Sequence, residues 1–212
     1  MVDAFAEAGV RRLHAADYRR TRWKNDGGWT TELACDPPAD TDGGLGAFRW
    51  RISIAEIECD GPFSTFPGID RDLVLLAGNG MELDIDEASP LRMDRRLQAV
   101  RFAGEQAVQC RLLAGPTRDL NVMVRRGEVS AEVAARPLTG SMLLFREPGV
   151  CWFVHVLAGH ATLQMDGTSI EATLNDSLIL EPTAAHARGV LTGAGELVLV
   201  KLIDNASGSK PL

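Results

Sequence analysis

The chain has 212 residues, enough for one large domain or two small ones, and 45% of them are hydrophobic, enough for a substantial core. A net charge of -7 argues against nucleic-acid partners, which need a basic face to neutralise phosphate. It does not exclude an anionic small molecule. The basic residues are nearly all arginine, only Lys24, Lys201 and Lys210 being lysine, and an arginine fork suits carboxylates.

Met1 to Val10 carries acidic residues and no long apolar run, so no leader peptide is read there. Cys35, Cys59, Cys110 and Cys151 are widely spaced and form no CxxC pair. They read as reduced thiols of a cytoplasmic protein. No apolar run reaches the roughly 20 residues a membrane helix needs, so no membrane partner is expected.

Residues 1–20 are charged and weakly patterned, suiting a short helix or a loose arm. Beyond them, short apolar runs separated by Gly, Pro, Asp and Asn replace helical periods. Strands are expected over 48–57, 72–77, 108–113, 120–124, 141–145, 151–157, 161–165, 177–180 and 196–203. Such spacing makes an all-β chain of sandwiches or barrels. The second half reads like a cupin half, and a weak repeat of that theme stands in the first. Arg136-Pro137-Leu138-Thr139-Gly140 breaks the pattern. The expected domains are therefore 10–135 and 136–204, with strand exchange between the halves allowed and a mobile tail over 205–212.

Trp23 to Leu33 reads W-K-N-D-G-G-W-T-T-E-L. Gly27 and Gly28 permit a tight turn with positive φ. Its backbone N–H groups could form an anion-binding nest between two tryptophan walls. A plain turn with packed tryptophans is the alternative. Nucleotide-binding glycine patterns are missing.

Residues 48–55 alternate strictly: Phe48, Trp50, Ile52 and Ile54 share one face, Arg49, Arg51, Ser53 and Ala55 the other. Residues 61–71 place two proline–glycine turns around two phenylalanines, forming a stiff loop that leads through Asp70-Arg71 into a strand. Residues 118–125 alternate too, with Asp119, Asn121 and Met123 opposite Leu120, Val122 and Val124. If both polar faces line one barrel, Arg51, Ser53, Asp119 and Asn121 converge.

The histidines are His14, His155, His160 and His186, with no HxH pair. His155 and His186 are weak metal candidates only. No catalytic-triad pattern is seen.

Four segments in this order, W-K-N-D-G-G-W-T-T-E at 23–32, F-R-W-R-I-S-I-A at 48–55, G-P-F-S-T-F-P-G-I-D-R at 61–71 and D-L-N-V-M at 119–123, resemble the HutD/Ves family. The resemblance spans most of residues 10–200 and is dense to about 125. It implies a bicupin, two cupin-like barrels or sandwiches with few short helices, and an association with bacterial histidine utilisation. It also implies a regulatory or ligand-binding role without an established catalytic activity. The family's polar motif positions fall on Asn25, Gly27, Gly28, Thr30, Glu32, Arg51, Ser53, Ser64, Arg71, Asp119 and Asn121. Asp26 stands where the family often has a glycine, and Thr31 where an arginine is common.

The leading expectation is a protein without a cofactor that binds a small carboxylate or a formylated amino-acid intermediate. Arg51 would hold the carboxylate, and Asn25, Ser53 and Asn121 would add neutral hydrogen bonds. One rival is a metal-dependent cupin isomerase or oxygenase. The other is a ligand-free interaction module whose pocket is filled by side chains. Exposed strand edges also allow a homodimer.

Overall fold

A computed structural model of the chain describes residues 9–38 and 48–205. Residues 1–8 of the N-terminal arm and residues 206–212 of the expected tail lie outside that range. The first elements are β1 (Val10–Leu13) and a single 3-10 turn, Ala15–Asp17. Next come β2 (Arg19–Arg22), β3 (Gly28–Asp36), β4 (Trp50–Ile57), β5 (Gly61–Pro62), β6 (Ile69–Ala77) and β7 (Met81–Ile85). They are followed by β8 (Leu91–Met93), β9 (Ala99–Ala103), β10 (Val108–Leu112) and β11 (Thr117–Arg125). The last five are β12 (Val129–Arg146), β13 (Val150–Met165), β14 (Thr168–Thr173), β15 (Ser177–Leu180) and β16 (Ala187–Asp204). The all-β expectation holds.

The strands sort into two compact units, Arg19–Arg126 and the described residues of Met1–Tyr18 with Gly127–Leu212. The division falls at Arg126/Gly127, not near residue 135. The Arg136-Pro137 break does not end a strand. Pro137 sits inside β12, which is an end strand of its sheet, where a missing N–H costs no ladder bond. β1 also departs from the expected division, because it pairs with β15 of the second unit.

The Arg19–Arg126 unit faces a six-stranded sheet, β2-β3-β4-β11-β6-β9, against a four-stranded sheet, β5-β10-β7-β8. Both sheets feed one apolar cluster: Ile57, Leu73, Leu75 and Phe102 from the first, Met81, Leu83, Met93, Val108 and Cys110 from the second. Period-two alternation decides which side chains point inward. On β4 and β11 that inward set is the polar one, so the barrel interior is apolar in one part and polar in another.

The second unit builds its core from a single sheet, β1-β15-β13-β16-β12, with β14 paired to β13. β15 pairs with the first part of β13 and β14 with the last. Leu178 and Leu180 of β15 nevertheless share a cluster with Ile170 and Ala172 of β14. The sheet must therefore close over its own apolar face. A register shift between Val156 and Ala158 marks the bend. It also switches the inward positions of β13 from Val154 and Val156 to Ala161, Leu163 and Met165. Gly159, at φ +74°, approaches the Ala194 carbonyl too closely for any side chain. The expected strands 151–157 and 161–165 are thus one bent strand.

Candidate functional site

Pairing fixes three rows of inward side chains across the six-stranded sheet. Thr30 lies opposite Ala55, and Ala55 opposite Asp119. Glu32 lies opposite Ser53, and Ser53 opposite Asn121. Met123 separates Arg51 on β4 from Arg71 on β6. Two strand spacings of about 4.8 Å put those two arginine backbones roughly 10 Å apart on one face. The convergence of Arg51, Ser53, Asp119 and Asn121 therefore follows from adjacent antiparallel strands.

These rows open onto a cavity of about 570 Å³. All nine expected site residues line it: Asn25, Thr30, Glu32, Arg51, Ser53, Ser64, Arg71, Asp119 and Asn121. Trp23, Ala55, Ile57 and Phe63 join the cavity to the apolar core. The pocket is open space and is not filled by side chains. Arg19, Arg22 and Lys24 also line it, so five basic side chains face the two carboxyls of Glu32 and Asp119. Of these, Arg22 pairs with Asp26 and Glu58, and Arg51 pairs with Glu32.

Arg71 is the unusual cation. It is only 6% exposed. Its Nη1 donates to the Ser64 carbonyl at 3.3 Å, while its buried Nε has no partner among the described residues. Phe63, Phe66 and Phe102 surround the guanidinium with ring centroids at 5.4, 5.5 and 5.0 Å. Burial lowers its pKa to about 10; Asp119 opposes that shift, and Arg51 adds to it by repulsion. Asp119 is 1% exposed, and burial raises its carboxyl to about 7 despite the attraction of Arg71.

Arg51 was expected to be the main carboxylate donor. In the structure its Nε donates to Glu32 Oε2 at 2.7 Å, so Arg51 already carries a counter-ion. Sequence pattern alone did not single out Arg71. It stands between two acidic residues, Asp70 and Asp72, at the start of a strand that is apolar thereafter, and its aromatic cage joins nearby Phe63 and Phe66 to Phe102, distant in sequence.

The Asn25 loop needs correction too. Positive φ falls on Asp26, at 55°, and on neither Gly27 nor Gly28. Gly28 is required for a different reason: a side chain there would strike the Glu56 carbonyl oxygen. The expected anion nest is closed locally. Gly27 N donates to Asn25 Oδ1 at 3.1 Å and Asp26 N to the Trp23 carbonyl at 3.1 Å. Of the two tryptophans only Trp23 walls the cavity, held by its Nε1 bond to Thr30 Oγ1 at 2.8 Å. Trp29 lies under Arg20 and Arg22 instead. Asp26 pairs with Arg22 at 3.3 Å, and Thr31 alternates away from Thr30 and Glu32 along β3. Neither departure from the family pattern lines the cavity.

The second unit offers a different picture. His155 is buried, stacks on Phe153, and shares a 2.9 Å hydrogen bond through Nδ1 with Ser177 Oγ. His186 lies exposed on a loop. Among the described residues no three His, Cys, Asp or Glu side chains group as a metal site. The four cysteines are free, and no helix of the described residues is long and apolar enough to cross a membrane.

An all-β chain whose barrel holds a polar recess above an apolar core is cupin-like in architecture. A salicylate 1,2-dioxygenase from Pseudaminobacter salicylatoxidans matches that fold with a TM-score of 0.59 at 8% identity, over 90% of this chain and 84% of its own. The HutD family model matches residues 15–199, and the chain belongs to that family. HutD from Pseudomonas fluorescens SBW25, solved in a formate condition, is 30% identical with a TM-score of 0.75, covering 92% of this chain and 98% of its own. A conserved Pseudomonas aeruginosa PAO1 protein of unknown function is 29% identical with a TM-score of 0.80, covering 92% and 97%. An uncharacterised Pseudomonas putida protein from the region 3' of hutC is 45% identical over 54% of this chain and 57% of its own length. Protein Ves of Citrobacter koseri is 36% identical over 61% and 76%.

Proposed function

We propose that the Arg19–Arg126 cavity binds a small carboxylate, such as a formylated amino-acid intermediate, and that this binding serves a regulatory role in histidine utilisation. One observation carries the reading. Arg71 is a buried guanidinium with a free Nε and, among the described residues, no carboxylate in salt-bridge contact. Such a cation is costly to bury alone and gains strongly from an incoming anion. Arg51 repels Arg71 across Met123, and a carboxylate between them relieves both. The histidine-utilisation link rests on the HutD family and on a relative from the region 3' of hutC.

Calorimetric titration with formate and a panel of N-formyl amino acids tests the site. Binding that is lost in Arg71→Met, with the thermal transition retained, is the expected result. An undiminished affinity in that variant would overturn the assignment. A gene neighbourhood lacking histidine-degradation genes would remove the pathway link and leave the site reading intact.

A further inference from the structure

Three buried polar atoms of the Arg19–Arg126 cavity wall have no hydrogen-bond partner among the described residues: Arg71 Nε, Asp119 Oδ2 and Asn121 Oδ1. One is a donor and two are acceptors. Asp119 and Asn121 stand two residues apart on the inward face of β11, and Arg71 is on the adjacent strand β6. All three side chains are at least nine-tenths buried. Folded chains rarely leave such atoms unpaired, since each carries a desolvation penalty.

A bare carboxylate answers only part of this wall. It brings acceptors, which satisfy Arg71 and leave Asn121 Oδ1, and Asp119 when ionised, with nothing to accept from. The cavity's own donors are partly committed: Trp23 Nε1 to Thr30 and Arg51 Nε to Glu32. We propose that the site selects ligands carrying an N–H donor beside their carboxylate, with Asp119 and Asn121 as the specificity-determining acceptors. This rests on the carboxylate reading above and adds to it the chemistry of the ligand's other end.

Three matched probes test the inference by calorimetry on the full chain. N-acetyl-γ-aminobutyrate has both groups. Its ketone isostere, with a methylene in place of the N–H, keeps only the carboxylate. N-propylacetamide keeps only the N–H. The first should bind at least about tenfold more tightly than its ketone isostere, because a lost hydrogen-bond partner strands a buried acceptor. Asn121→Leu should shrink that ratio, and an unchanged ratio in this variant would remove Asn121 from the N–H selection. Equal affinities for the first two probes in the unaltered protein would overturn the N–H selection and leave the carboxylate reading standing. N-propylacetamide binding as tightly as N-acetyl-γ-aminobutyrate would overturn the carboxylate reading and support N–H selection. No binding of any probe would overturn both.

Discussion

The two units use the same strand alternation to opposite ends. In the described residues from Gly127 onward with their β1 partner, inward positions are Val154, Val156, Leu163, Leu191 and Leu197, which pack into one apolar cluster. In Arg19–Arg126, inward positions of β4 and β11 are Arg51, Ser53, Asp119 and Asn121, and the interior holds a cavity. A β-sheet face is indifferent to what it carries. What differs is which residues occupy every second position: one unit spends those positions on packing and the other on lining a polar cavity.

The sharpest way to break the comparison is to carve the packed unit. Leu163 is 1% exposed within its cluster, so Leu163→Ala should cost about 2–5 kcal/mol in urea unfolding. Ligand affinity of the folded protein should stay unchanged. A parallel loss of affinity would show that the division of labour is wrong.

In the recognition unit, Arg71→Met keeps contact with Phe63, Phe66 and Phe102 while removing the charge. Carboxylate affinity should fall by roughly 1.5–3 kcal/mol, the worth of a hydrogen bond to a charged group. Arg51→Ala should cost less, since Glu32 already occupies its Nε. Calorimetry on both variants ranks the two arginines, and a larger loss at Arg51 would restore the expectation from sequence.

Asp119 gives a pH test. An unfolded aspartate titrates near 3.9, whereas burial raises Asp119 to about 7. Between those values the folded chain keeps a proton that the unfolded chain has released. Stability from this group is therefore present below about pH 4 and is lost as pH rises through about 7. Asp119→Asn should narrow the difference between urea midpoints measured at about pH 5 and about pH 8. An unchanged difference would place the titration elsewhere.

The smallest expected effect is at Glu32. Glu32→Gln removes a negative charge from the cavity and frees Arg51, so carboxylate affinity should rise by up to about 1 kcal/mol, read by the same titration. A fall would mean that Glu32 itself holds the ligand.

Much of this could be seen in the chain before it was folded. Alternation at 48–55 and 118–125 told which side chains share a face, and turn residues marked the all-β class, because both signals are local. The family motifs gathered nine residues that all reach one cavity. The boundary at Arg126/Gly127 was hidden, since a proline on an end strand breaks a pattern without breaking the strand. The bend at Gly159 was hidden as well, because it is defined by an approach to Ala194 across the sheet.

The sequence by itself determined the strand class and the polar stripes, through periodicity and turn chemistry. Only the tertiary structure decided that Arg51 pairs with Glu32 and that Arg71, among the described residues, makes no salt bridge and feels Asp119 only at a distance. Charge balance in a cavity depends on which strands become neighbours, and the Phe63, Phe66 and Phe102 rings that desolvate Arg71 meet only when β6 and β9 pair and the loop after β5 folds over them.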